Sequence, residues 1–308
     1  MTSLPEALTQ TLRAALGSRA RPDENLARHT SFRVGGPADL LVLPDTEDEL
    51  AAVLRAASAH GARVALLGGG SNVLIGDGGI RGVVVKLGRG FSEIAWTPTD
   101  DGATVRAGAA AQLGRVARES VARGLAGLEH AEGIPGTVGG ALFMNAGAYG
   151  GDLAGTVEAV CGLSGAGEPV RIERAGLTFD YRRTALPPGF VVTAVVLRLR
   201  REATDAVQAR MDAARNRRVA SQPHGEANAG SIFKNPTGDH AGRLIEAAGL
   251  KGARMGRARI SERHANVIVN EGGARAGDVK ALMDLAQRVV WERSGVWLEP
   301  EVRLVGHW

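Results

Sequence analysis

Three short stretches of this sequence carry side chains able to handle charge and protons. Ser231, Lys234 and Asn235 fall within five positions of Asn228-Ala229-Gly230-Ser231-Ile232-Phe233-Lys234-Asn235-Pro236, bringing a hydroxyl, an ammonium and an amide together. Such a set can hold an anion and deliver a proton, while a serine without an evident histidine base also serves as a cap. Tyr181-Arg182 adds a guanidinium and Glu299-Pro300-Glu301 two carboxylates; taken singly, these are ordinary surface residues.

Two glycine-rich runs give a different signal. Gly68-Gly69-Gly70-Ser71-Asn72 follows the apolar run Val64 to Leu67. Consecutive glycines can turn several N–H groups toward one anion, and Ser and Asn side chains add donors. The loop fits neither common nucleotide pattern: GxGxxG would need glycine where Val73 stands, and a P-loop would need Gly-Lys where Gly76-Asp77 stands. A phosphate site and an ordinary turn both remain open. The second run is Glu132-Gly133-Ile134-Pro135-Gly136-Thr137-Val138-Gly139-Gly140, continuing to Asn145-Ala146-Gly147-Ala148-Tyr149-Gly150. Each glycine in a regular element costs about 0.5–1 kcal/mol relative to alanine. Backbone contact with a flat or phosphorylated ligand would explain that burden, and so would a closely packed bend. No GxSxG occurs, and the seven histidines show no HxH or HExxH spacing, so neither a nucleophile elbow nor a metal site is expected.

The elements that must position these groups follow from periodicity. Leu8, Leu12 and Leu16 form an amphipathic lead, and Asp39 to Leu43 reads as a strand stopped by Pro44. Thr46 and Glu49 have capping-box spacing before a helix carrying Leu50, Val53, Leu54 and Ala57. Strands are predicted at 64–67, 80–87, 103–107, 157–163, 170–173 and 191–199, with a helix over 112–123 closed by Gly124. Beyond an Arg-rich helix over 204–220 come a helix at 241–248, a strand at 266–270, a helix at 276–293 and a terminal strand at 296–305. The change in character near residue 200 divides the chain into 1–200 and 201–308.

Composition bounds the partners. The 308 residues are 44% hydrophobic and 23% charged, a globular balance, and 43 of them are glycine. Of the 37 cations only Lys86, Lys234, Lys251 and Lys280 are lysines; the arginines are dispersed and no aromatics interleave with them, which argues against a nucleic-acid surface. Cys161 stands alone, so no intramolecular disulfide forms. The opening MTSLPEALTQ lacks a basic, apolar export signal, and the uncharged stretch 133–151 carries too much glycine for a membrane span, so a cytoplasmic protein is expected.

Taken in order, these segments resemble the UDP-N-acetylenolpyruvoylglucosamine reductase family over about residues 28–306. The resemblance rests on Thr30-Ser31-Phe32-Arg33-Val34-Gly35-Gly36, both glycine runs, Tyr181-Arg182, NAGSIFKNP, Ser261-Glu262-Arg263-His264-Ala265-Asn266 and Leu298-Glu299-Pro300-Glu301-Val302. It implies an α+β fold: an FAD-binding domain of the vanillyl-alcohol-oxidase type followed by a smaller α+β substrate-binding domain. It further implies non-covalent FAD, NADPH as reductant, a UDP-sugar enolpyruvate as substrate and a monomer serving peptidoglycan precursor synthesis, with no nucleic-acid or membrane partner. By the same resemblance, Arg182, Ser231 and Glu301 are catalytic, Ser231 being the proton donor assisted by Lys234 or a water. Arg33, Gly68, Gly69, Gly70, Ser71, Asn72, Gly133, Ile134, Pro135, Gly136, Thr137, Gly139, Gly140 and Asn145 line the cofactor. Lys234 and Asn235, then Arg218 and His264, bind the substrate. The 49 positions from Arg182 to Ser231 place the chain in the group lacking an extra tyrosine-bearing loop, and Thr184 stands where the family usually has serine.

Overall fold

The computed structural model describes residues 4–223 and 225–308. Helices and strands are mixed throughout, and the chain forms two compact units. One gathers Met1–Pro22, Leu40–Gly69 and Gly82–Arg218; the other gathers Asp23–Asp39, Gly70–Arg81 and Val219–Trp308. This partition differs from a single cut near residue 200, because the chain enters the second unit three times. The reason is hydrophobic. Phe32, Val34 and Leu74 are buried in one cluster with Ile232, Phe233, Leu244, Ile268, Leu282 and Val302, so the second unit's core draws on early parts of the chain.

The first unit is built on a six-stranded antiparallel sheet. Its order is Pro169–Glu173, Val157–Leu163, Val191–Arg201, Gly102–Gly108 and Ile94–Thr99, with Leu125–Ala126 pairing the far end of Val191–Arg201. Val195 lies opposite both Val160 and Ala107 at the centre of the sheet, and successive residues Thr193–Leu197 of this strand are buried. Helix Leu113–Val121, helix Val138–Phe143 and the start of helix Thr204–Ser221 bury Val116, Val121, Val138, Leu142, Val207 and Met211 against it. A second cluster of this unit joins Leu8, Leu12 and Leu16 of helix Glu6–Leu16 to Leu50, Val53 and Leu54 of helix Glu47–Ala59. Thr46 caps the latter as its spacing suggests, its hydroxyl accepting from Glu49 N at 3.2 Å.

The second unit carries a three-stranded antiparallel sheet, Arg254–Met255, Ala258–Ile260 and Ile268–Asn270, and the helices Ala241–Ala247 and Ala276–Ser294. Strand Val73–Ile75 pairs in parallel with Arg303–Val305. The Asp77 carboxylate accepts from Ala276 N at 2.9 Å and Gly277 N at 3.0 Å, holding the first turn of the long helix.

Three segments depart from the periodicity. The terminal strand is only Arg303–Val305; Pro300 has no N–H for a ladder, and Phe233 and Pro300 meet as an isolated bridge. The predicted strand at 266–270 begins at Ile268, since the Asn266 side chain itself bonds the main chain of Phe233, accepting from its N at 2.9 Å and donating to its O at 2.7 Å. Helix Val138–Phe143 was hidden by its glycines; Thr137 starts it by accepting from Gly140 N.

Candidate active site

In the second unit, Ser231 and Glu301 are brought together by main-chain bonds. Ile232 O accepts from Glu301 N at 2.8 Å, Glu299 O accepts from Lys234 N at 2.8 Å, and Ser231 forms a bridge with Val267 on its other side. Asn72 adds a side-chain tie, donating from Nδ2 to Glu301 O at 3.2 Å while its own carbonyl accepts from Arg303 N. Among the described residues, no group accepts a hydrogen bond from the Ser231 hydroxyl, which is half-buried. Lys234 is engaged: its Nζ lies 2.5 Å from Glu299 Oε1. Asn235 is exposed and its Oδ1 accepts from Ala241 N at 3.1 Å, leaving the amide NH₂ on the surface.

Arg182 lies in the first unit, on the turn between strands Thr178–Asp180 and Arg183–Ala185, with φ of 59°. Its guanidinium donates to Gly147 O at 2.9 Å and sits over the Tyr181 ring at 5.0 Å. Thr184 is buried and its hydroxyl donates to Leu142 O, so the departure from serine keeps the hydroxyl contact. Asn145 is buried with φ of 38°, and its amide is used internally: Nδ2 donates to Asp180 O at 3.2 Å and Asp152 Oδ2 at 3.1 Å, and Oδ1 accepts from Ala154 N at 3.0 Å.

The glycines separate into two kinds. Gly70 has φ of 68° and a Cβ there would fall 2.0 Å from His29 O, so the turn itself demands glycine. At Gly139 the N–H donates to Ala109 O and a Cβ would meet Ala109 Cβ at 2.9 Å, which is close packing. Gly68 and Gly69 differ: they are exposed, and among the described residues their N–H groups donate to no main-chain carbonyl. A Cβ on Gly69 would come within 2.7 Å of Gly136 Cα, and one on Gly68 within 3.2 Å of Thr137 Oγ1. Glycine backbone from both runs is thus laid side by side in this unit, exposed along Gly68, Gly69, Gly133 and Pro135, with Leu66 and Phe143 presenting apolar side chains to solvent nearby in sequence. That is a cradle a flat, phosphorylated ligand fits. Ile134 packs against the core, and Ser71 follows Gly70 into the second unit.

The remaining candidates are placed as follows. Arg33, with φ of 55°, lines a cavity of about 440 Å³ in the second unit with Glu226, Asn270 and Glu271. Arg218 lies against Gly133, where a Cβ would fall 2.7 Å from its Cδ; burial lowers its pKa, opposed by the Tyr149 phenol. Burial also holds the His264 imidazole below its ordinary 6.5, and its Nδ1 accepts from Asn266 N at 3.2 Å. Sequence reasoning missed what the Arg-rich helix does. Arg215 donates to Glu132 from Nε at 3.1 Å and Nη2 at 3.0 Å, and Arg210 bonds Glu129, so the helix clamps the entry to the second glycine run. Spacing could not have shown this, since partners lie about eighty positions apart.

A family model described as UDP-N-acetylenolpyruvoylglucosamine reductase, C-terminal domain, matches residues 222–305, and one described as FAD binding domain matches residues 38–164. The chain is 48% identical over 290 residues to UDP-N-acetylenolpyruvoylglucosamine reductase 2 of Symbiobacterium thermophilum, covering 94% of this chain and 93% of that one. It is 43% identical over 312 residues to the reductase of Desulfosudis oleivorans, covering 98% and 100%. The crystal structure of UDP-N-acetylenolpyruvylglucosamine reductase from Thermus caldophilus superimposes with a TM-score of 0.78 at 38% identity, over 92% of this chain and 97% of that one.

Proposed function

Because the chain belongs to the UDP-N-acetylenolpyruvoylglucosamine reductase family and is an FAD-dependent oxidoreductase acting on an enolpyruvyl C=C bond, we propose that it reduces UDP-N-acetylglucosamine enolpyruvate to UDP-N-acetylmuramate with electrons from NADPH. When bound, the flavin supplies the hydride, accepted from NADPH and delivered from N5 to the enolpyruvyl methylene carbon. Gly68, Gly69, Gly136 and Gly140 are the backbone best suited to hold it, with Ser71, Asn72, Gly133, Ile134, Pro135 and Thr137 nearby in sequence and Arg33 a further candidate from a separate segment. Gly70 and Gly139 support that backbone from within, while the Asn145 amide is spent on Asp152, Ala154 and Asp180.

Hydride arrival at the methylene carbon leaves negative charge on the neighbouring carbon and its carboxylate. Arg182 holds that carboxylate, and Glu301 orients it through a shared proton. Ser231 donates its hydroxyl proton to the carbon and is reprotonated from solvent through Lys234 or a water. A preorganised donor facing developing charge contributes about 3–4 kcal/mol. The observation that carries this reading is the Ser231 hydroxyl: it has no acceptor among the described residues, yet is fixed one position from the Ile232–Glu301 main-chain bond. Lys234 and Asn235 receive the substrate's diphosphate and sugar, the ammonium exchanging Glu299 for phosphate, and Arg218 and His264 assist. The enzyme acts as a cytoplasmic monomer of peptidoglycan precursor synthesis. Among the described residues no helix is long and apolar enough to cross a membrane.

The test is spectroscopic. Purified protein is expected to be yellow, to bleach with NADPH under anaerobic conditions, and to regain its colour with the enolpyruvyl UDP-sugar. Recovery with oxygen alone would refute the assignment.

A further inference from the structure

We propose that Asn145 is a positioning residue for Arg182, acting through the Asp180 carbonyl; this rests on the reading of Arg182 as the carboxylate-binding arginine. The turn that carries Arg182 is tied by hydrogen bonds to the segment 142–147, all within the first unit. Asn145 Nδ2 donates to Asp180 O at 3.2 Å, Arg182 Nη1 donates to Gly147 O at 2.9 Å, and the Thr184 hydroxyl donates to Leu142 O. Asn145 is the member with the least freedom. It is only 3% exposed, and both N–H groups and the oxygen of its amide are occupied. The second N–H goes to Asp152 Oδ2 and the oxygen to Ala154 N, so the 152–154 turn fixes the amide plane from one side and the hairpin is aimed from the other. Rotating the amide by half a turn would set oxygen against the Asp180 carbonyl and the Asp152 carboxylate, so one orientation is enforced. The left-handed backbone at Asn145 suits asparagine, whose short side chain tolerates that region. Arg182, with its own φ of 59°, sits two residues beyond the bonded carbonyl, where a small rotation of the turn would swing the guanidinium away from Gly147 O.

The experiment measures both half-reactions of the flavin-loaded enzyme by stopped flow, with NADPH and then the enolpyruvyl UDP-sugar. Asn145→Asp replaces the donating NH₂ by oxygen at the same size. Reoxidation by the UDP-sugar is expected to slow about 10- to 100-fold, the scale of a misplacement near 1 Å, while reduction by NADPH changes by less than about threefold. In an Arg182→Ala background the same substitution should add no more than about twofold, because the group it aims has gone. Thr184→Val should slow reoxidation in the same selective way and Thr184→Ser should restore it, which decides the matter if Asn145→Asp fails to retain flavin. Additive losses in the double variant, or equal loss in both half-reactions, would assign these residues to general support of the fold and overturn the proposal. If Arg182→Ala alone leaves reoxidation at the parent rate, the reading of Arg182 fails and this proposal falls with it; if Arg182→Ala slows reoxidation and neither Asn145→Asp nor Thr184→Val does, only the positioning role is lost.

Discussion

The Ser231–Glu301 pair of the second unit is fixed by main-chain bonds, Glu301 N to Ile232 O and Lys234 N to Glu299 O, whereas the Arg182 hairpin of the first unit, paired along its own ladder, is tied to the segment 142–147 by the side chains of Asn145, Thr184 and Arg182. These main-chain bonds do not depend on the side chains of Ser231 and Glu301, so conservative substitutions there alter chemistry without altering place. At the Arg182 turn, chemistry and placement are carried by different residues and can be separated by mutation. Two ways of aiming a functional group thus coexist in one chain, and each has its own signature in variant kinetics.

The largest expected effect tests the main-chain side. Ser231→Ala should slow flavin reoxidation by about 10²- to 10⁴-fold, the usual range for a lost general acid. Reduction by NADPH and the urea midpoint should stay near the parent values, because the strand bonds around Ser231 do not involve its hydroxyl. Equal slowing of both half-reactions would show that Ser231 supports the flavin, and the contrast between the two regions would lose one of its terms.

A smaller effect sharpens the contrast. Asn72→Ala removes the side-chain bond from Asn72 Nδ2 to Glu301 O and leaves the main-chain bonds beside it. A single neutral hydrogen bond contributes about 1 kcal/mol, so reoxidation should fall by about fivefold, well short of the loss at Asn145. A loss matching that of Asn145→Asp would mean that the second unit relies on side chains as heavily as the first.

The smallest effect is a control on stability far from either group in sequence. The hydrogen bond from Arg19 holds the Glu49 carboxyl down to about 2 from its ordinary 4.5, outweighing its desolvation. A depressed carboxyl pKa adds stability above pH 4.5 and loses it as pH falls toward 2. The pair is largely solvated, so about 1 kcal/mol or less is at stake. Urea midpoints of parent and Glu49→Gln should therefore differ modestly at pH 6 and converge only as pH falls through about 2, with both half-reactions at pH 7 unchanged.

What could be read from sequence alone follows the range of the interactions. Leu8, Leu12 and Leu16, the Thr46–Glu49 cap and the apolar stretch Val191–Leu199 declare their elements because the causes are local. Ser231, Lys234 and Asn235 were visible as a dense polar set, and Glu301 became meaningful only through resemblance. The Asn145 amide was legible as a member of a motif but not as a bracket for Asp180, since the partner lies 35 positions away. Glycine counts could not tell Gly139, whose N–H is bonded to Ala109 O, from Gly68 and Gly69, which are exposed and whose N–H groups donate to no main-chain carbonyl among the described residues. The terminal strand was overextended because apolar content at 296–305 hides that Pro300 cannot join a ladder.

The interleaving of the two units bears on how the chain is made. The first unit has all its segments once Arg218 has been synthesised, while Asp23–Asp39 and Gly70–Arg81 must wait for their partners. Phe32 and Leu74 are fully covered only by side chains from Ala229 to Val302, and Val73–Ile75 gains its parallel neighbour only when Arg303–Val305 leaves the ribosome. A chain ending at residue 220 would hold every segment of the first unit but lack the third segment of the second. Shelter for the segments translated first therefore waits on residues 219–308.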